Sequence, residues 1–176
     1  MSLLLVIDGY NVVPPIAPPG RSTGQDWLQQ ERMGLVRRLA DHLPKKIADQ
    51  TCVVFDAANP PRDRAAEFQF QGITVRFAVG YPQADDLIEE IIQQHTSAKR
   101  LTVVSSDHRI HVSAKRRGAT PFDSEPWFDA LLDGRLHLAI SRTESGQGRA
   151  VEKTKPEPNV SDKDVGSWMK EFGFDD

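Results

Sequence analysis

Three short β-rich stretches of this chain carry apolar residues on both faces, and each of them runs into an aspartate. Leu3-Leu4-Leu5-Val6-Ile7 ends at Asp8, Cys52-Val53-Val54-Phe55 at Asp56, and Leu101-Thr102-Val103-Val104-Ser105-Ser106 at Asp107. A strand that is apolar on both faces has to be covered on both faces, and a parallel sheet between layers of helices does that. The segments between the strands supply the helices. Leu28, Leu35, Val36, Leu39 and Leu43 make one stripe at helical spacing over residues 26–43, and Leu87, Ile88, Ile91 and Ile92 make another over residues 85–96. The expected fold class is therefore α/β, with a mostly parallel sheet.

The remaining elements follow from punctuation. Strands are expected at 3–8, 51–56, 73–79 and 101–105, with a Pro- and Gly-rich loop at 14–24 and Pro44 just beyond the first long helix. The polar segment around Arg62, Asp63 and Arg64 is expected to lead into a short helix at most. A helix over 108–117 stops at Gly118, residues 119–122 add a short edge strand, and Ser124 caps a helix over 125–132 that Gly134 ends. Residues 136–140 read as a last strand or a docking segment. Beyond residue 140 polar, Gly, Pro and charged residues dominate through residue 164, as in a flexible linker. It leads to Trp168, Phe172 and Phe174 among acids, one apolar turn suited to a protein partner. The expected division is a domain over 1–140 and a linker with an acidic-aromatic tail over 141–176.

Composition excludes several classes. No apolar run approaches the roughly 20 residues that span a bilayer. The single cysteine, Cys52, lies inside an apolar run and cannot form an internal disulfide, which fits a reducing cytoplasm. One cysteine and scattered histidines (His42, His95, His137) give no zinc spacing. Phosphate-loop, dinucleotide-turn and nucleophile-elbow motifs are all missing. The formal net charge of −3 is not that of a general nucleic-acid binder. Residues 1–140, however, hold 16 basic and 17 acidic side chains, so offsetting four of those acids with a cation leaves the rest basic.

Four acids invite that step. If the strands are parallel neighbours, Asp8, Asp56 and Asp107 project from one sheet edge, and Asp85-Asp86 opens a helix at the same edge. Taken singly, each aspartate has an ordinary role as a turn former, a helix cap or a partner of the helix dipole. Together they repel one another unless a cation sits between them, and an all-oxygen set suits Mg²⁺ or Mn²⁺. Adjacent helical positions diverge by about 100°, so only one of Asp85 and Asp86 can face the cluster. Ile88 and Ile92 lie nearer the side of Asp85, which is the expected ligand. Asn11, three residues after Asp8, can bond a carboxylate or a phosphate oxygen. His108, Lys115, Arg116 and Arg117 on the next helix, with Arg62 and Arg64, are candidate phosphate contacts; a solvated basic helix face explains the helical set equally well.

The stretch from Leu3 to Asn11 resembles the first motif of NYN domains, within the PIN-like nuclease superfamily. Val53-Val54-Phe55-Asp56-Ala57, Ala84-Asp85-Asp86-Leu87-Ile88-Glu89 and Val103-Val104-Ser105-Ser106-Asp107 resemble its later motifs in the same order, and the YacP-like branch is the nearest pattern over residues 1–140. The resemblance implies a Rossmann-like three-layer α/β/α sandwich, a magnesium or manganese site and endoribonuclease activity, directed in that branch at ribosome-associated mRNA. It places Asp8, Asp56, Asp85 and Asp107 in the acidic site with Asn11 as their polar companion. The proline-rich residues 14–20 and the tail depart from the pattern. The expected function is metal-dependent hydrolysis of RNA by a cytoplasmic protein. The rivals are a catalytically silent RNA- or ribosome-binding module and a metal-dependent phosphatase for small substrates.

Overall fold

The computed structural model describes residues 2–12, 24–57 and 66–140; of residues 11, 12 and 24–27 it describes the backbone. Arg62, Arg64, nearly all of the proline-rich loop and the whole of 141–176 lie outside the described residues. In chain order the elements are β1 (Leu5–Asp8), α1 (Gly9–Val12), α2 (Gly24–His42), α3 (Lys45–Ala48), β2 (Thr51–Phe55), β3 (Glu67–Phe70), β4 (Ile73–Phe77), α4 (Ala84–Gln94), β5 (Thr102–Val104), α5 (His108–Arg117), β6 (Thr120–Phe122) and α6 (Ser124–Leu132).

The strands form one six-stranded sheet in the order β3-β4-β2-β1-β5-β6. Every pairing is parallel except that of β3 with β4. The chain builds outward from β1 to β2 and β4, then returns after α4 to the other side of β1 to place β5 and β6. The order therefore reverses between β1 and β5, and the crevice beyond the carboxyl ends of strands at such a reversal is where open α/β sheets bind ligands.

Strand pleating sorts the core into two layers. Leu5, Ile7, Val53, Phe55 and Val104 pack with Leu35, Val36 and Leu39 of α2 and with Trp127, Phe128 and Leu131 of α6. Val6, Cys52, Val54 and Val103 face the other way, onto Leu87, Ile88 and Ile92 of α4 and Ile110 and Ala114 of α5. This is a three-layer α/β/α sandwich, and it explains why the strands read as apolar on both faces. Cys52 is buried, and that burial pushes its thiol up to about 12, so it serves as a small core residue.

Two expectations are corrected. Residues 66–72 hold no helix. They form the edge strand β3 and a two-residue turn in which Gln71 and Gly72 have φ of +47° and +92°, the positive pair that a tight hairpin requires. Alternation decides the strand: Phe68 and Phe70 turn toward the core while Glu67 and Gln69 face water. Ser124 is the first helical residue of α6 and not its cap; Asp123 holds the cap position, and the Ser124 amide donates to Ser106 Oγ at 3.1 Å. Residues 136–140 dock without forming a strand. Leu138 and Ala139 are buried, and the Ala139 amide donates to the buried Thr102 Oγ1 at 2.8 Å.

Candidate functional site

Side chains alternate along a strand, so whatever stands two residues after a residue of one layer faces that same layer. Val6, Val54 and Val103 face α4 and α5. Asp8, Asp56 and Ser105 are the next residues in those three series. The pleat thus delivers two carboxylates and a hydroxyl to the side of the sheet where α4 and α5 begin.

Asp8 is 3% exposed, and its Oδ2 accepts from Ser105 Oγ at 3.0 Å. Ser105 Oγ also accepts from the Asp107 amide at 3.1 Å, so one fully buried hydroxyl ties the end of β1 to the start of α5. Gly9 is required by close approach: a Cβ there would run into the buried Phe55 ring. Asp56 and Asp107 each accept a helix-terminal amide. Asp56 Oδ1 takes the Ala84 amide at 2.7 Å, at the first residue of α4, and Asp107 Oδ1 takes the Arg109 amide at 2.6 Å, capping α5. Both helices aim their positive ends at the carboxylates.

The two neighbouring acids of α4 diverge. Asp86 Oδ2 accepts the Gln83 amide at 3.1 Å, and its Oδ1 pairs with Arg109 at 2.7 Å. Arg109 also holds Glu89 at 2.7 Å. Asp85 belongs to the cluster. Burial pushes its carboxyl up to about 6, and the charges of Asp8, Asp107 and Asp56 push the same way while Arg109 opposes them. Among the described residues no group of three or more His, Cys, Asp or Glu side chains is placed close enough to hold a metal ion as it stands. The charges of Asp8, Asp107 and Asp56 all bear on the Asp85 carboxyl, and the donors of the four side chains are all oxygen. In their chemistry these residues fit Mg²⁺ or Mn²⁺.

The other expected residues divide by position. Asn11 lies on α1, the single turn after Asp8, with its side chain outside the described set. His108 is exposed at the first turn of α5, next to Asp107. Lys115, Arg116 and Arg117 occupy the last turn of α5. At 1.5 Å per residue they stand about 12–15 Å along the axis from Asp107, so the structure does not bring them to the carboxylates. Arg117 donates to the His95 carbonyl oxygen at 3.2 Å. Two side chains at the edge escaped sequence reasoning in their roles. Ser105 stood only as part of the run leading into Asp107, although a serine that continues a pleat series ending in aspartates was the signal. Arg109 had none, because its partners come from another helix.

The YacP-like NYN domain model matches residues 5–170, past residue 140 and into the segment expected to be linker and tail. Two solved structures share the fold. The crystal structure of Rae1 (YacP) from Bacillus subtilis aligns with a TM-score of 0.54 at 17% identity, over 98% of this chain and 84% of that one. A crystal structure of a mutant form of the same Bacillus subtilis protein aligns with a TM-score of 0.51 at 21% identity, over 82% and 80%. No curated protein sequence matches the chain.

Proposed function

The chain belongs to the YacP-like NYN domain family, and from that premise we propose that it is a divalent-metal-dependent endoribonuclease that hydrolyses internal phosphodiester bonds of RNA. The observation that carries this reading is the gathering of Asp8, Asp56 and Asp107 where β1 and β2 end and α4 and α5 begin, with Asp85 in the first turn of α4. Asp8, Asp56, Asp85 and Asp107 would hold the ion. Bound Mg²⁺ or Mn²⁺ supplies Lewis acidity toward water and toward the phosphate oxygens.

The chain's own residues do the rest. Ser105 fixes the Asp8 carboxylate, and the first turns of α4 and α5 fix those of Asp56 and Asp107. Asn11, on the turn after Asp8, orients ligands. Arg109 limits the negative potential around Asp85. In this reading His108 contacts phosphates near the cleaved bond, Lys115, Arg116 and Arg117 track the strand farther away, and Arg62 and Arg64 are further phosphate contacts. The substrate is mRNA, cut on the ribosome as the YacP-like resemblance implies. Residues 1–140 form the nuclease domain, and 141–176 serve as a linker and a tail that recruits a protein partner. Among the described residues no helix is long and apolar enough to cross a membrane. The lone Cys52 fits a reducing compartment, and the cytoplasm is the location that goes with this reading.

Labelled single-stranded RNA incubated with Mn²⁺ or Mg²⁺, and in parallel with EDTA, tests the proposal. Internal cuts that require the metal support it. Binding without cleavage favours the silent module instead, and release of terminal phosphate alone favours the phosphatase.

A further inference from the structure

Arg32 is 6% exposed in the apolar stripe of α2, four residues after Leu28 and four before Val36. Among the described residues no carboxylate pairs with it. Burying a guanidinium is costly, so the contacts it makes have to help sustain it. Three rings surround it: Arg32 Cζ lies 5.2 Å from the centroid of Phe77, 5.4 Å from that of Tyr10 and 5.8 Å from that of Phe55. Its Nε donates to the Tyr10 hydroxyl at 2.9 Å, and its Nη2 donates to the same hydroxyl. Nη2 also donates to the Asp56 carbonyl oxygen at 3.2 Å.

These partners are not arbitrary. Tyr10 stands two residues after Asp8, on the turn that follows it. The β1–β2 ladder ends at the pair Asp8↔Val54, and the β2–β4 ladder at Phe55↔Phe77. The backbone of Asp56 therefore leaves the sheet one residue beyond its last strand partner, where no ladder fixes it. Arg32 bonds to that carbonyl and to the tyrosine of the neighbouring turn at once. A guanidinium serves both from separate nitrogens of one planar fork, whereas an ammonium would have to reach both from a single nitrogen.

We propose that Arg32 is a positioning residue of the carboxylate site: it locks the turn after Asp8 to the backbone of Asp56 and so sets the spacing of two carboxylates on neighbouring strands. The inference rests on the metal-dependent reading above. Residues that hold metal ligands in place typically change metal affinity or activity by about 10- to 100-fold when altered.

The full chain should be compared with Tyr10→Phe, which keeps the ring and removes the acceptor, and with Arg32→Lys, which keeps the charge and removes the fork. Three quantities are read: the melting temperature without metal, the dissociation constant for Mn²⁺ by calorimetry, and kcat and KM on labelled single-stranded RNA. Tyr10→Phe should melt within about 5 °C of the parent. Both variants should bind Mn²⁺ about 10- to 100-fold more weakly and lose kcat by a similar factor, with KM for RNA unchanged. A Tyr10→Phe protein with parental Mn²⁺ affinity and kcat overturns the proposal, whether or not its melting temperature falls, because Arg32 then only packs. Parental behaviour of Arg32→Lys overturns it too, since charge alone would suffice. A parent that neither binds Mn²⁺ nor cuts RNA overturns the metal-dependent reading itself, and this inference with it.

Discussion

The two ends of α5 carry similar side chains to different ends. At the first turn all the polar groups but the exposed His108 are committed: Asp107 caps the helix, Arg109 bridges Asp86 and Glu89, and a ring nitrogen of His111 bonds the Ser105 carbonyl oxygen. At the last turn Lys115, Arg116 and Arg117 stand in solvent, with one bond from Arg117 to a carbonyl. Basic residues favour a helix C-terminus for its dipole alone, so their presence there says little about ligands. Position along the helix, and so distance from the sheet edge, separates the groups that build the site from those that can only attract a polymer to it.

The largest contrast is expected inside the first turn of α4. Asp85→Asn should cut RNA cleavage on the order of 100-fold and leave the metal-free protein as stable as the parent or slightly more so, because it removes one of four repelling charges. Asp86→Asn should keep cleavage within about threefold of the parental rate, since an amide oxygen can still accept from the Gln83 amide. Rates from the two variants measured side by side break the comparison if they are reversed or equal.

Ser105→Ala comes next. It removes the hydroxyl that holds both Asp8 and Asp107, at a cost in stability of about 1–3 kcal/mol by denaturant unfolding. A cleavage loss of about tenfold should accompany it. A stability loss with an unchanged rate would make Ser105 a structural link only.

The far end of α5 gives a milder effect of another kind. Converting Lys115, Arg116 and Arg117 to Ala should raise KM for RNA and leave kcat alone. It should also flatten the salt dependence of binding, by about 0.7 in log–log slope for each phosphate that is no longer neutralised. An unchanged slope returns these residues to a solvated face. Smallest of all, deleting residues 145–176 should move the melting temperature of the core by less than about 5 °C in a thermal scan.

Much of the fold was legible because its signals are local. Apolar runs marked β1, β2, β4 and β5, and the helix over 108–117 ends where Gly118 takes φ of +79°. β3 was missed because Glu67 and Gln69 dilute a four-residue alternation. Its clearest mark was Gly72 in the turn that follows, since glycine takes the positive φ of a tight hairpin freely, whereas Gln71 gives no such signal. Within the site, the choice between Asp85 and Asp86 could be argued from the apolar stripe of α4. The distance of Lys115–Arg117 from the carboxylates follows from the direction of α5, which closeness in sequence hides. Arg32 had a signal that went unread: a charged residue in register with Leu28, Leu35, Val36 and Leu39 has to find its partners inside the protein.

Everything proposed for this site depends on carboxylates at the sheet edge that repel one another until a cation arrives. Mn²⁺ titrated into the metal-free parent and into Asp8→Asn, with the melting temperature followed in both, tests this most directly. The parent should be stabilised in proportion to the logarithm of excess Mn²⁺, reaching about 2.7 kcal/mol at 100 times the dissociation constant. Asp8→Asn should melt no lower than the parent without metal and gain much less from Mn²⁺. A metal-free Asp8→Asn protein that unfolds, beside a parent indifferent to Mn²⁺, would show instead that these aspartates only hold the strand ends and helix caps together.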